Sequence, residues 1–409
     1  MALRRMLKVA QDTDAAMVYC DHFNQMPDGS LVKHPLIDCQ EGSLRDDFDF
    51  GPVVLINKDA LLTACREIDD NFKELKYSGF YAVRLALSRI GNIVHIPEYL
   101  YTSDTVEMRS SGERIFDYQR ESEVERQKEL EAVCTWHLSK IGAYLPPERY
   151  ENVDLNEEEF PVECSVIIPV LNRVNTIGDA IKSVLSQDAP FKFNLIIIDN
   201  HSTDGTSEVI DKYAKDPRLI HIIPDRKDLG IGGCWNLGIY DERCGKFVIG
   251  LDSDDLFATP HVLDTMIAKF YEENAAMVVG SYKIVDKNLQ EVPPGIIAHR
   301  EWTLENGRNN LLRVNGIGGP RAFFTSIYRR ICLPCSSYGE DYGMGLMISR
   351  HYRVGRVWEL MTLNRRGDDN TDSNLSIEQE NANNLYKDRL RTWEVQARQT
   401  LMNIDNNNH

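Results

Sequence analysis

Short apolar runs alternate with amphipathic stretches through the second half of the chain. From Glu159 onward they read "CSVIIPV", "TIGDAIKSVLSQ", "FNLIIID", "TSEVIDKYAK", "LIHIIP", "CWNLGIYDERC" and "KFVIGLD". The apolar runs have the length and β-branched content of buried strands, and the stretches between them have helical spacing. The pattern therefore predicts βαβ crossovers and a parallel sheet covered on both faces. "SVIIPV" is the first buried strand, and the polar turn after it, "LNR", falls at the carboxyl edge of the sheet, where open α/β folds bind ligands.

Other regions are patterned differently. The stretch from Ser111 to Lys140 is densely charged with sparse apolar positions, as in an exposed helix. It runs into "YLPPERYENVDLNEEEFPVE", whose prolines and acids read as a linker. "SIEQENANNLYKDRLRTWEVQARQ" predicts a C-terminal helix, with "NIDNNNH" as a frayed tail. The chain also resembles itself. "TDAAMVYCDH" parallels "ENAAMVVGSY", "FGPVVLINKDAL" parallels "GGPRAFFTSIYRRI", and "YSGFYAVRLALSR" parallels "YGEDYGMGLMISR" in the same order. The expected domains are a partial, non-catalytic half domain over 1–105, a charged helix and linker over 106–158, a complete domain over 159–375, and a helix and tail over 376–409.

Composition narrows the function classes. A chain of 409 residues with 42% hydrophobic residues is globular. Its net charge of −17 argues against nucleic acid as a partner, because phosphate contacts need clustered Lys and Arg. Nine scattered cysteines form no disulfide framework and predict a cytoplasmic setting. No window approaches the ~20 apolar residues of a membrane span. "CLPC" at Cys332 to Cys335 has redox or half-zinc spacing, but no second close pair completes a zinc site, so it reads as structural.

Four polar segments end successive predicted strands and should converge on one crevice. In "LDSDD", Asp252, Asp254 and Asp255 crowd three carboxylates around Ser253, an arrangement a divalent cation such as Mn²⁺ or Mg²⁺ would neutralise. The plain alternative is an acidic turn or helix cap. Asp199 and Asn200 end a buried strand and can meet a base or ribose, while Asp204-Gly205-Thr206 turns the chain into a helix. "GIGG" at Gly230 to Gly233 lacks the spacing of a dinucleotide motif. Its small residues allow close backbone approach, with Asn236 projecting from the next helix.

Together, "SVIIPVLNRVNTI", "IIIDNHSTDGT", "LGIGGCWNLGI", "LDSDDLF" and "GEDYGMGLMI" resemble the inverting family 2 glycosyltransferases. The resemblance implies the GT-A fold, a Rossmann-like, mostly parallel sheet flanked by helices. It also implies a nucleotide-sugar donor, a UDP-sugar first among them, whose sugar passes to a glycan or lipid-linked acceptor in polysaccharide biosynthesis. Association with the inner face of the membrane is compatible with such an acceptor. Carried over, Pro169, Asn172, Arg173, Asp199, Asn200, Gly230, Asn236, Asp252 and Ser253 bind the nucleotide sugar. Asp252, Asp254 and Asp255 hold the metal, and Asp341, supported by Glu340, is the general base. The chain reads Asp199-Asn200-His201-Ser202 where most members read Asp-Asp-Gly-Ser, which puts the second carboxylate's role in question. Arg365 and Arg366, in "NRRGDDNTDSN", are candidates to meet diphosphate charge. The half domain has Gly79-Phe80 where the complete domain has Glu340-Asp341, and is expected to be inactive. The other function class is a binding scaffold for a glycan or partner on the same fold.

Overall fold

The computed structural model describes residues 1–104, 123–156, 158–366 and 375–407. Parts of the expected charged helix, of the acidic linker, of the loop after Arg366 and of the tail lie outside these residues. The chain divides into two units, one of Met1–Pro146, Asn306–Asn315 and Asp372–His409, the other of Pro147–Glu305 and Gly316–Thr371. The division differs from the expected domains at three places. The first unit runs to Pro146, it includes the C-terminal helix, and it takes in a segment that lies, by sequence, among the strands of the second.

The first unit is built of α1 (Ala2–Thr13), β1 (Met17–Gln25), β2 (Leu31–His34), β3 (Val54–Ile56), α2 (Lys58–Asn71), α3 (Gly79–Ile90), β4 (Ile93–Ser103) and α4 (Val124–Lys140). β1 is central because "MVYC" is apolar without a break, and Met17, Val18, Tyr19 and Cys20 are wholly buried. It pairs antiparallel with β2 and β3 and parallel with β4. α1 ends where Asp14 turns left-handed, at φ 48°.

The second unit contains β5 (Cys164–Val170), α5 (Ile177–Leu185), β6 (Phe193–Asp199), α6 (Thr206–Asp211), β7 (Leu219–Ile222), α7 (Gly230–Tyr240), β8 (Phe247–Gly250), β9 (Leu256–Phe257), α8 (Val262–Glu273), β10 (Ala275–Val285) and β11 (Glu291–Ile297). One helical turn of the first unit, α9 (Gly307–Asn310), intervenes before β12 (Arg321–Phe324), α10 (Thr325–Ile331), α11 (Glu340–His351) and β13 (Arg353–Arg365). The last helix, α12 (Ile377–Asn407), belongs to the first unit.

Among the described residues the second sheet runs β7-β6-β5-β8-β12-β10-β13-β9, with β11 on β10. β7, β6, β5 and β8 are parallel, as the alternation of apolar runs and helices predicts. The chain leaves β5 toward β6 and β7 on one side and returns as β8 on the other. The carboxyl ends of β5 and β8 therefore flank a switch point, where neighbouring loops diverge and leave a crevice. Beyond β8 the sheet is mixed. β12 is antiparallel to both β8 and β10, and β13 is parallel to β10.

The order of pairing around β10 is that around β1: two antiparallel neighbours and one parallel. α8, like α1, has 12 residues and stops at a left-handed C-cap, Asn274 at φ 50°. Register sets Val18 opposite Leu55 and Val278 opposite Ala322.

Buried charge explains why α12 and residues 306–315 join the first unit. Arg391 pairs with Asp388 at 2.8 Å and Arg398 with Glu394 at 2.7 Å, all four wholly or almost wholly buried. Arg391 and Arg398 also donate to the Val314 and Arg308 carbonyls, at 3.1 and 2.9 Å. Arg313 reaches Asp46 at 2.8 Å. Removing one partner of such a pair strands a charge away from water, which holds these segments in place.

Candidate active site

The loop after β5 is knitted to the loop after β6. Asn172, left-handed at φ 55°, donates its backbone N–H to Ser202 Oγ at 3.0 Å and accepts from the Thr203 N–H through Oδ1 at 2.8 Å. The Arg173 N–H donates to Thr206 Oγ1 at 2.8 Å. Asp204 accepts from the Thr206 N–H and hydroxyl at 3.0 and 2.5 Å, which caps α6 as its sequence predicts. Pro169 lies within the strand, one residue before its end, paired with Ile198.

Asp199 is completely buried. Its Oδ1 accepts from the Ser202 N–H at 2.9 Å and its Oδ2 from Ser207 Oγ at 2.5 Å, with His221 Nε2 at 3.4 Å. Burial alone would raise the Asp199 carboxyl, but donors at His221, Ser207 and Ser202 outweigh it and hold the group below the ordinary carboxylate range. The same contact raises the His221 imidazole. Asp199 thus orders the turn that presents Asn200, whose side-chain oxygen is buried without a hydrogen bond among the described residues.

The aspartate motif leaves β8 as a tight turn in which the Asp255 N–H donates to the Asp252 carbonyl at 3.0 Å. Asp255 is buried, with Oδ1 accepting from the Arg365 N–H at 3.0 Å and Oδ2 from Asn364 Nδ2 at 2.8 Å. Burial first, then the charges of Asp252 and Asp254, push its carboxyl well above the usual range. Asp254 lies 3.9 Å from Arg173 Nε, so the motif and the loop after β5 do converge. Ser253 is buried. Arg365 also reaches Asp179 at 3.2 Å. Among the described residues no group of three His, Cys, Asp or Glu side chains is arranged to hold a metal ion.

α11 opens on the acid pair, with Gly339 at φ 73° as its N-cap. Asp341 Oδ2 accepts from Arg321 Nη1 at 2.6 Å. Glu340 is buried, and its Oε2 has no hydrogen-bond partner among the described residues. Burial, and then the adjacent Asp341 charge, push the Glu340 carboxyl up to about 7. Arg321 lies on β12 with its guanidinium also bonded to the Gly318 carbonyl. Burial works against its charge, but Asp341, Asp252 and Glu340 together raise its pKa. It links the aspartate motif to the acid pair electrostatically. Sequence reading missed Arg321, although it is the one charged residue in "GPRAFF".

The "GIGG" glycines do admit a close backbone, but it is the chain's own. A Cβ on Gly232 would lie 2.2 Å from the Pro334 carbonyl oxygen, and one on Gly230 2.8 Å from Ser337 Oγ. Asn236 donates to the Leu333 carbonyl at 2.9 Å and so holds the same loop. That loop carries Cys332 and Cys335, both exposed and, like the other seven cysteines, free. Gly230 and Asn236 therefore act on the segment leading to Glu340.

Residues 165–332 match the family model described as Glycosyl transferase family 2. An uncharacterized glycosyltransferase of Rickettsia conorii is 44% identical over 112 residues, which cover 27% of this chain and 18% of that protein. The putative teichuronic acid biosynthesis glycosyltransferase TuaG of Bacillus subtilis is 28% identical over 148 residues, 36% of this chain and 58% of TuaG. The chain thus spans well under two thirds of these relatives. Among solved structures, Staphylococcus aureus TarS 1-349 in complex with UDP-GlcNAc aligns with 57% of this chain and 66% of its own, at 21% identity and a TM-score of 0.46. No helix among the described residues is long and apolar enough to cross a membrane. The matched segment runs from β5 to the end of α10 and so includes the strand order that makes the switch point: over residues 165–332 the chain is similar to glycosyl transferase family 2.

Proposed function

We propose that this chain transfers a sugar, with inversion, from a nucleotide-diphosphate sugar to an acceptor hydroxyl during assembly of a cell-surface glycan. The observation that carries this reading is Arg321, which is ion-paired to Asp341 and feels the charges of Glu340 and Asp252. A base paired to a cation that also feels the charge of the donor motif forms a site that can act on both partners of a transfer. The relatives support the class of product. TuaG is named for teichuronic acid biosynthesis, and a Campylobacter jejuni relative, 38% identical over 95 residues, for glucosyl transfer to an undecaprenol-linked glycan.

In this reading Asn172, Arg173, Asn200 and the loop that Asp199 orders receive the nucleotide. Asp252 and Asp254 fit a divalent cation, because three crowded carboxylates with one forced toward its protonated form favour a neutralising ion. Mg²⁺ or Mn²⁺ needs only one or two protein carboxylates, with diphosphate and water completing its shell. Asp255 has both oxygens engaged and supports the turn. When bound, the ion would supply Lewis-acid stabilisation of the leaving diphosphate. Asp341, oriented by its ion pair with Arg321, takes the acceptor proton as the acceptor oxygen attacks. Glu340, largely neutral below its pKa of about 7, there adds little second negative charge beside Asp341.

The test is a thermal-shift panel of UDP- and GDP-sugars with Mn²⁺ or EDTA, followed by transfer assays on hits. A folded-state ligand at about 100 times its Kd adds about 2.7 kcal/mol. The expected result is a shift with one nucleotide class that needs Mn²⁺ and weakens in Asp252→Asn. Binding without turnover on any acceptor would favour the scaffold reading, and no shift with any donor would overturn the enzymatic one.

A further inference from the structure

The open flank of the first unit is a self-association surface, and we propose that a second copy of this chain occupies it. Two independent features meet there. The first is a strand edge. Among the described residues β3 pairs with β1 alone. The Asn57 N–H donates to the Ala16 carbonyl, so alternation along the antiparallel ladder turns Leu55 inward and leaves the N–H and C=O of Val54 and Ile56 facing the free edge. The second is an apolar helix face. Leu3 and Leu7, one turn apart on α1, are 59% and 42% exposed. Both features belong to one surface, because Met6, Val9 and Ala10 of α1 pack in the same cluster as Leu55 of β3.

The second unit shows what such surfaces are for. β12 stands to β10 as β3 stands to β1, and its other edge is taken by β8. Counted back from their left-handed C-caps, Leu263 and Ile267 of α8 stand where Leu3 and Leu7 stand on α1. They are 0% and 3% exposed. The cover comes from the parallel half of that sheet. The Leu263 N–H meets Gln187 Oε1 at 3.3 Å, and Phe247 of β8 packs on Phe270 of α8 at 4.4 Å between ring centroids. Among the described residues of the first unit no strand takes the outer edge of β3, and Leu3 and Leu7 face water. Proteins normally cover both.

The charges on α1 favour a twofold partner. Arg4, Arg5 and Lys8 lie toward its N-terminal end, and Asp12 and Asp14 at the C-terminal end. Two such helices packed antiparallel about a twofold axis bring opposite signs together, and β3 can pair antiparallel with its own symmetry mate. The existing Arg5–Glu98 and Lys8–Asp12 pairs are exposed, contribute little and can exchange partners.

Sedimentation velocity on the full chain from low to high micromolar concentration tests this. The expected result is a reversible dimer whose dissociation constant rises at least roughly a hundredfold in Leu3→Glu/Leu7→Glu. It should also rise in Val54→Pro, which removes only an outward N–H. Far-UV circular dichroism and the thermal midpoint verify folding, with Leu3→Ala/Leu7→Ala replacing the glutamate pair if that fails to fold. A chain that stays monomeric throughout, or a dimer indifferent to the leucine substitutions, overturns the proposal. A dimer sensitive to the leucines but not to Val54→Pro overturns its strand-pairing part.

Discussion

Two helices in this chain occupy the same place relative to their strands and carry opposite chemistry. α3 and α11 each have 12 residues and each lead into the strand parallel to a central one, β4 beside β1 and β13 beside β10. α11 begins Glu340-Asp341, whereas α3 begins Gly79-Phe80. The register that puts Arg321 opposite Val279 puts Val54 opposite Tyr19, so the cation, like the acids, is absent there. A part-buried acid pair without its arginine leaves poorly compensated charge, and a part-buried arginine without acids does the same. The architecture of the half sheet needs neither, because apolar packing and ladder hydrogen bonds carry it. The acids and the arginine are thus present together beside β10 and absent together beside β1.

The sharpest way to break the contrast is to make α11 chemically like α3. Asp341→Asn keeps the shape and a hydrogen bond acceptor but cannot take a proton. Turnover should fall roughly 10²–10⁴-fold, the usual contribution of a general base. Nucleotide-sugar binding, read by thermal shift, should persist. Parental turnover in this variant would move the base elsewhere, with Glu340 the first alternative.

A second variant asks what the acid pair costs. Glu340 has a folded-state pKa of about 7, above that of an unfolded glutamate. Between those values the unfolded chain has released this proton while the folded chain keeps it, so stability falls as pH rises through the window and levels off above it. Glu340→Gln removes the cost. Its gain over the parent in urea unfolding should be near zero at about pH 4 and roughly 2–3 kcal/mol at about pH 8. An equal effect at both values would show that Glu340 titrates normally.

How much of this was legible beforehand follows the range of the forces involved. The βα alternation from β5 to β8 is written in local periodicity, and the structure has those strands and helices in that order. The crevice follows from strand order, so Asp252, Asp254, Glu340 and Asp341 were identifiable as candidates. Their partners were not. Arg321 comes to Asp341 through β12, whose pairing with β8 and β10 no local pattern announces. The engagement of Asp255 by residues 364 and 365 and of Asn236 by Leu333 is equally distant in sequence. The inclusion of residues 306–315 in the first unit depends on buried arginines, which sequence reading assigns by default to the surface. The resemblance between "FGPVVLINKDAL" and "GGPRAFFTSIYRRI" also misses by one position. Aligning the glycine-proline pairs sets Val53 on Arg321, while the ladders set Val54 there.

The smallest effect concerns the acid that α3 does have. Glu129 of α4 caps this helix from outside. Its Oε1 accepts from the Tyr77 and Ser78 N–H groups at 2.8 and 2.7 Å and from Ser78 Oγ at 2.7 Å, and its Oε2 accepts from the Lys76 N–H at 3.0 Å. Burial acts to raise this carboxyl, but the donors at Ser78, Tyr77 and Lys76 prevail and lower it. The carboxylate is therefore structural at α3, whereas the acids at α11 are the ones proposed for chemistry. Because its folded pKa is depressed, the stability it gives is present above the unfolded value and is lost as pH falls through the folded one. Glu129→Gln should cost about 1–2 kcal/mol at neutral pH, in the range of hydrogen bonds to a charged group, and progressively less in acid. Urea unfolding of the full chain at neutral and acidic pH measures it. A cost that is unchanged in acid would mean that α3 is held by packing, not by this carboxylate.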